Sequence, residues 1–253
     1  MTVKELYDYL NEKIPRSLSC EWDNDGLMCC PSPDRQAAKI LVALDISEEI
    51  VERAISENCD VILSHHPLVF KPVKALTTEG GVPRKLIRLV ENGVTAMSFH
   101  TRFDALEGGV NDALAKALGI ENTEPFGDDG EMMGRVGFVK ETTLEEFAKH
   151  VKAALGSPVA LFNGDLPVCR VAVLGGNGDD FVSAAKSAGA DTLISGRLGY
   201  HVMADAKENG INLIEAGHYY TESPALSALA DMAKAAIANA EIIFADSNNI
   251  KSV

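Results

Sequence analysis

Apolar residues along this chain fall into two kinds of run. Some recur at helical spacing, and others are short and continuous. The amino terminus is of the first kind: Thr2 followed three residues on by Glu5 is a capping-box pattern, and Pro15 closes the helix it opens. The stretch "EWDNDGLMCCP" after it is too rich in Asp, Asn and Gly to predict a regular element. "AKILVALDI" is continuous and apolar, the signature of a strand buried on both faces of a parallel sheet. In "SEEIVERAISENC" the apolar positions Ile50, Val51, Ala54 and Ile55 share a helical face, and "DVILSHH" is again a strand. The three make a β-α-β unit.

The same pattern returns. Residues 170–196, "RVAVLGGNGDDFVSAAKSAGADTLISG", lie over residues 39–65 without a gap, so that Asp191 falls on Asp60 and Ser195 on Ser64. Further on, "NGVTAMSFH" ends at His100 and "NGINLIEAGH" ends at His218. Two matched segments in matched order indicate an internal duplication. The expected fold is therefore α/β, with two similar, intertwined α/β/α halves and mixed, mostly parallel sheets. The first half spans residues 1–123 and the second 124–253, with the polar, Pro- and Gly-containing "TEPFGDDGE" as connector. The second half adds a strand at "GRVGFV", a helix capped by Thr143 with Glu146 three residues on, and an alanine-rich helix in "SPALSALADMAKAAIANA". A last strand is expected at "EIIFA".

With 253 residues, 46% of them hydrophobic, the chain can build a core without disulfides. A formal net charge of -14 argues against a nucleic-acid partner, which calls for clustered Lys and Arg. The five cysteines form no C-x-x-C pair, and their number is odd, which fits reduced thiols. No apolar run approaches the ~20 residues of a membrane span. The expectation is a soluble, cytoplasmic protein with no membrane partner.

Against that background the histidines stand out. His65 and His66 follow "DVILS", His100 follows "VTAMSF", and His218 follows "INLIEAG". Ligands of parallel α/β sheets bind beyond the carboxyl ends of the strands. Each half also offers a carboxylate four residues after its strand-end histidine: Asp104 after His100, and Glu222 after His218. Positions i and i+4 share a helical face. His65 and His66 on a flat strand would point to opposite faces. They would bind one ion each, or converge if the strand breaks at Pro67. The candidate metal ligands are His65, His66, Asp104, His218 and Glu222, with His100 close by. This donor set suits two divalent ions per chain, zinc, iron or manganese, rather than calcium. Paired ions acidify bound water to a pKa of about 7 and favour a small anionic substrate. His100 and His201 are candidate general acids or bases. His150, inside "EEFAKHVKAAL", is expected to be structural, and the lone tryptophan, Trp22, is expected to pack. "LGGNGDD" is expected to be a tight turn.

Four segments, "EWDNDGL", "LSHHPLVF", "HTRFDALEGGVNDALAKALG" and "EAGHYYTE", occur in an order and spacing that resemble the GTP cyclohydrolase 1 type 2 homologs, also called Ngg-one-interacting-factor-three-like proteins. The resemblance runs over nearly the whole chain. It implies a duplicated α/β fold, a binuclear metal site on the same five residues, and toroidal homohexamers. It also implies a metal-dependent hydrolase of cyclohydrolase character, in which water adds to C8 of a guanine ring and opens the imidazole. The alternative is a non-catalytic metal-binding or protein-interaction ring, chaperone-like in character. One departure is that "RF" replaces the family's usual Asn-Leu before Asp104. Arg102 would then either favour an anionic substrate or point to solvent.

Overall fold

The computed structural model describes residues 1–128 and 130–251. The chain begins with helix α1 (Val3–Lys13), strand β1 (Gly26–Cys29), β2 (Lys39–Ala43), α2 (Glu48–Ser56), β3 (Val61–Ser64), α3 (Gly81–Asn92), β4 (Thr95–Ser98) and α4 (Thr101–Ala105). It continues through α5 (Val110–Ala117), β5 (Glu121–Asp128), β6 (Glu131–Thr142), α6 (Leu144–Leu155), β7 (Leu161–Asn163), β8 (Val168–Asn177), α7 (Val182–Ser187) and β9 (Thr192–Arg197). The remaining elements are α8 (Tyr200–Ala204), α9 (Ala206–Asn209), β10 (Asn212–Glu215), α10 (His218–Glu222), α11 (Leu226–Ala236) and β11 (Glu241–Phe244).

By its contacts the chain divides at places other than the expected 123/124 boundary. The first unit comprises Met1–Phe103 and Leu226–Ile250, and the second comprises Asp104–Ala225. The physical reason is pairing. After leaving the second unit the chain returns, and β11 adds parallel to β2, with Ile242 opposite Ile40. "TEPFGDDGE" is no loose connector either. Residues 121–128 form β5, which pairs antiparallel with β6 and lies at a sheet edge, where Pro125 is tolerated. Likewise "GLMC" in the Asp- and Gly-rich stretch is a strand, β1, paired antiparallel with β4 and bulged between Leu27 and Cys29.

The first sheet runs β1-β4-β3-β2-β11, and all but the β1 edge pairing are parallel. Its central strands are buried along nearly their whole length. On one face Leu41, Ala43, Ile62 and Ala96 pack with Ile50, Val51 and Ala54 of α2 and Leu89 of α3. The other face is covered by α11, which lies against β2 and α1. Helix α1 keeps its capping box, with the Glu5 amide donating to Thr2 Oγ1 and the Thr2 amide to the Glu5 carboxylate.

The second sheet runs β5-β6-β8-β9-β10-β7. Its β8-β9-β10 centre is parallel and its flanks antiparallel. Alternation along the strands separates two cores. Val171, Val173, Ile194 and Ile214 join Leu114 and Phe147 on one face, while Ala172, Leu193 and Leu213 join Ala185 and Ala206 on the other. His150 of α6 has Nε2 3.1 Å from the Leu118 carbonyl, a structural role as expected. Among the described residues no cysteine is in a disulfide, and burial pushes the Cys59 thiol up to about 11. Among the described residues no helix is long and apolar enough to cross a membrane.

The duplication is visible in register. Ile40 pairs with Val61 as Val171 pairs with Thr192, and Val61 pairs with Thr95 as Thr192 pairs with Asn212. The matched aspartates do the same work. Asp60 accepts the backbone amides of Ala38 and Lys39, each at 2.9 Å, and Asp191 accepts those of Cys169 and Arg170 at 2.9 and 2.6 Å. Each carboxylate closes the entry of its first parallel strand. Asp60→Ala and Asp191→Ala should therefore each cost about 1–3 kcal/mol in urea unfolding, the cost of taking a charged acceptor from part-buried strand-entry amides. A neutral result at either position would show that the two aspartates are not equivalent.

Candidate metal centre

Strand β3 ends at Ser64, so His65 and His66 both lie beyond the last ladder position. The strand breaks before the histidines, and their rings converge, with centroids 5.0 Å apart. His100, just past the end of the neighbouring parallel strand β4, joins them at 5.2 Å from His65 and 5.6 Å from His66. One nitrogen from each of the three lies within 4.8 Å of the others, close enough to hold a metal ion.

What orients the rings is on the other nitrogen. His65 Nδ1 is 2.9 Å from the Phe99 carbonyl, His66 Nδ1 is 2.7 Å from Asp45 Oδ1, and His100 Nδ1 is 3.0 Å from Asp23 Oδ1. A carbonyl can only accept, so His65 donates from Nδ1, and the carboxylates draw the same tautomer from His66 and His100. Each lone pair then sits on Nε2. Metal-ligating histidines are held in this way, with the non-ligating N–H on a carbonyl or carboxylate. Asp45 stands at the carboxyl end of β2, where strand-end reasoning could have found it; the sequence reading passed over it. Asp45→Ala should weaken metal binding about 10- to 100-fold by releasing the His66 ring, read by competition with a chromogenic chelator. Unchanged affinity would show that Asp45 does not orient a ligand.

The "EWDNDGL" segment braces "HTRFD". Asp23 Oδ2 accepts from the Thr101 amide at 3.1 Å and from its hydroxyl at 2.7 Å. Burial would push the Asp23 carboxyl up, but the hydrogen bonds from His100 and Thr101 bring it down to about 2. Asp25 Oδ2 accepts from the His100 amide at 3.1 Å and from Arg102 Nε at 2.7 Å. Arg102 thus does neither thing expected of it. It is fully buried, also donates to Asn11 Oδ1 and the Ile14 carbonyl, and lies over the Phe99 ring. Trp22, expected in the core, is 61% exposed.

In the second unit, α10 carries His218 and Glu222 one turn apart, with Nε2 and Oε2 3.1 Å from each other. Glu222 is buried and His218 partly exposed. The helix packs closely on β8 and β9 because glycines lie beneath it. Gly176 has φ +73°, and a Cβ there would meet Glu222 Oε1 at 2.7 Å; a Cβ on Gly196 would meet Thr221 Oγ1 at 2.6 Å. The glycines of "LGGNGDD" are therefore less a tight turn than the floor under the His218–Glu222 pair, since β8 continues through Asn177. Asp104, in α4, is buried, and its carbonyl accepts from Asn111 Nδ2 at 3.2 Å. His201 is exposed on α8 and belongs to none of the metal-capable groups among the described residues.

Comparison with known proteins agrees with the motifs. The chain is 33% identical over 241 residues to a GTP cyclohydrolase 1 type 2 homolog of Clostridium perfringens, covering 92% of each chain. It superimposes on the reduced form of HcgD from Methanocaldococcus jannaschii with a TM-score of 0.83, at 31% identity over 96% of this chain and 97% of that one. It also superimposes on a hypothetical protein of Staphylococcus aureus with a TM-score of 0.90, at 26% identity over 100% and 99% of the two chains. The family model described as Duf34/NIF3 (NGG1p interacting factor 3) matches residues 1–250, and this chain belongs to that family.

Proposed function

We propose that this protein is a metal-dependent hydrolase of GTP cyclohydrolase 1 type 2-like character, acting on a small anionic or nucleotide-like substrate in the cytoplasm. The observation that carries the reading is the set of three imidazoles, each tied at Nδ1 and each left with its lone pair on Nε2. The proposed ligands are His65, His66, Asp104, His218 and Glu222, holding two divalent ions of zinc, iron or manganese. Imidazole with carboxylate is the donor chemistry such ions take. Bound there, the ions would supply Lewis acidity and a water acidified to a pKa of about 7.

The chain's own residues supply the rest. His100 holds or moves a proton at Nε2, while its Nδ1 stays on Asp23 Oδ1, which orients the ring. The exposed imidazole of His201 is the second acid–base candidate. The ring-shaped homohexamer implied by the family resemblance would be read by light scattering. A second reading, a metal-binding ring that handles protein partners without turnover, draws support from the interaction name that the family's description carries.

Metal analysis of the purified protein, followed by GTP turnover with and without chelator, tests the proposal. Roughly two ions per chain and chelator-sensitive turnover are expected. Ions without turnover of GTP or other nucleotides would leave the second reading, and absence of bound metal would overturn both.

A further inference from the structure

Trp22 and Phe70 remain outside every role described so far. Large aromatic side chains usually bury their area, yet Trp22 is 61% exposed and Phe70 is 47% exposed. They sit together, ring centroids 6.1 Å apart at 66°, and both border the histidine cluster. Trp22 lies 6.3 Å from the His100 ring at 76°, and Phe70 lies 6.3 Å from it at 87°. All three contacts are edge-on. None of them uses face-to-face stacking.

Their exposure is not the result of loose loops. Trp22 stands between two pinned residues: the Cys20 amide donates to Thr101 Oγ1 at 3.0 Å, and Asp23 is buried beneath Thr101 and His100. The Asp23 amide also donates to the Cys20 carbonyl at 3.1 Å, closing the turn that presents the indole. Asn24 Nδ2 donates to the Val69 carbonyl, which ties the Trp22 loop to the one bearing Phe70. Phe70 itself follows His66 by four residues. The fold holds two aromatic rings out of the core, on hydrogen-bonded turns, beside three imidazoles.

We propose that Trp22, with Phe70 beside it, is a stacking platform for a planar heteroaromatic ring, and fixes that ring of the substrate against the histidine cluster. Every heteroaromatic base has a π-face, so an indole binds it without a charged partner and without strong choice among bases. Specificity for a ring over a bare sugar phosphate would come from these two residues, while the reaction would come from the metal centre. The inference rests on the hydrolase reading for its consequence, but not for its test.

Trp22 is the only tryptophan in the chain, so protein fluorescence reports on this one position. With the intact protein excited on the red edge of indole absorption, guanosine and adenosine should quench the emission saturably, and ribose 5-phosphate should not. Trp22→Ala should weaken GTP binding, measured by calorimetry, about tenfold or more. Trp22→Tyr should retain most of the affinity, Phe70→Ala should lose less than Trp22→Ala, and metal content should stay unchanged in all three. Guanosine needs no metal to stack, so quenching survives even if the hydrolase reading fails, and metal content judges that reading separately. No saturable quenching by either nucleoside, or unchanged GTP affinity in Trp22→Ala, overturns the platform. So does resting emission that iodide cannot reach, because the indole would then be covered by another copy of the chain.

Discussion

If the proposed centre is present, the double variant His65→Ala, His66→Ala should lose bound metal, from the proposed roughly two ions per chain to less than one, and with it any chelator-sensitive turnover of GTP. The expectation follows from how the two rings are held. Both lie past the end of β3, and both have Nδ1 committed, to a carbonyl in one case and a carboxylate in the other. Their rings are oriented before any ion arrives. Pre-orientation of this kind is worth 10- to 100-fold in affinity even when only the supporting partner is removed, so removal of two ligands should cost more. His65→Ala alone should already remove one ion, because His65 is buried and its ring is held in place at Nδ1 by the Phe99 carbonyl. The fold should survive, since β3 and its ladder to β2 and β4 end before the substitutions. Elemental analysis beside circular dichroism separates the two effects. A folded double variant that keeps its metal would remove these histidines from the centre.

Several of these features can be read from the chain. The strand-end histidines are visible because a continuous apolar run announces a parallel strand, and Pro67 announces where it must stop. The repeat is visible because Asp60 and Asp191 sit at matched positions and cap their strands in the same way. Other features have no local signal. Strand β1 is four residues long, bulged and at an edge, so neither alternation nor length marks it. The helix and strand after residue 225 were legible as elements, but β11 pairs with β2 about two hundred residues away, and nothing in "EIIFA" names that partner. Trp22 reads as core by type, and only its pinned neighbours Cys20 and Asp23 explain why it is outside. Arg102 reads as a surface or substrate residue because arginine usually is one. Its partners Asp25, Asn11 and Ile14 lie 77 to 91 positions earlier in the chain.

Replacing Arg102 by methionine should destabilise the protein by about 3–5 kcal/mol, the range for breaking a buried ion pair by removing one partner. The thermal midpoint should fall by on the order of 10 °C. The guanidinium is fully buried and bonds Asp25 at 2.7 Å, Asn11 at 2.7 Å and the Ile14 carbonyl at 2.9 Å. Without it the Asp25 carboxylate stays buried, keeping the Ser19 hydroxyl at 3.3 Å and the His100 amide at 3.1 Å, while the Arg16 guanidinium 3.5 Å away is half-exposed. Most of the loss is therefore the cost of an uncompensated charge. The double variant Arg102→Met, Asp25→Asn should recover a large part of it, although Asp25 also holds the His100 amide. Arg102→Lys should not recover it, because one ammonium cannot span acceptors that a planar fork reaches together. Were Arg102 a substrate-binding residue instead, methionine would leave the thermal midpoint nearly unchanged and raise KM alone. A shift of the midpoint with metal content intact places Arg102 under the site, as the strut that holds α1, Asp25 and the His100 segment in one arrangement.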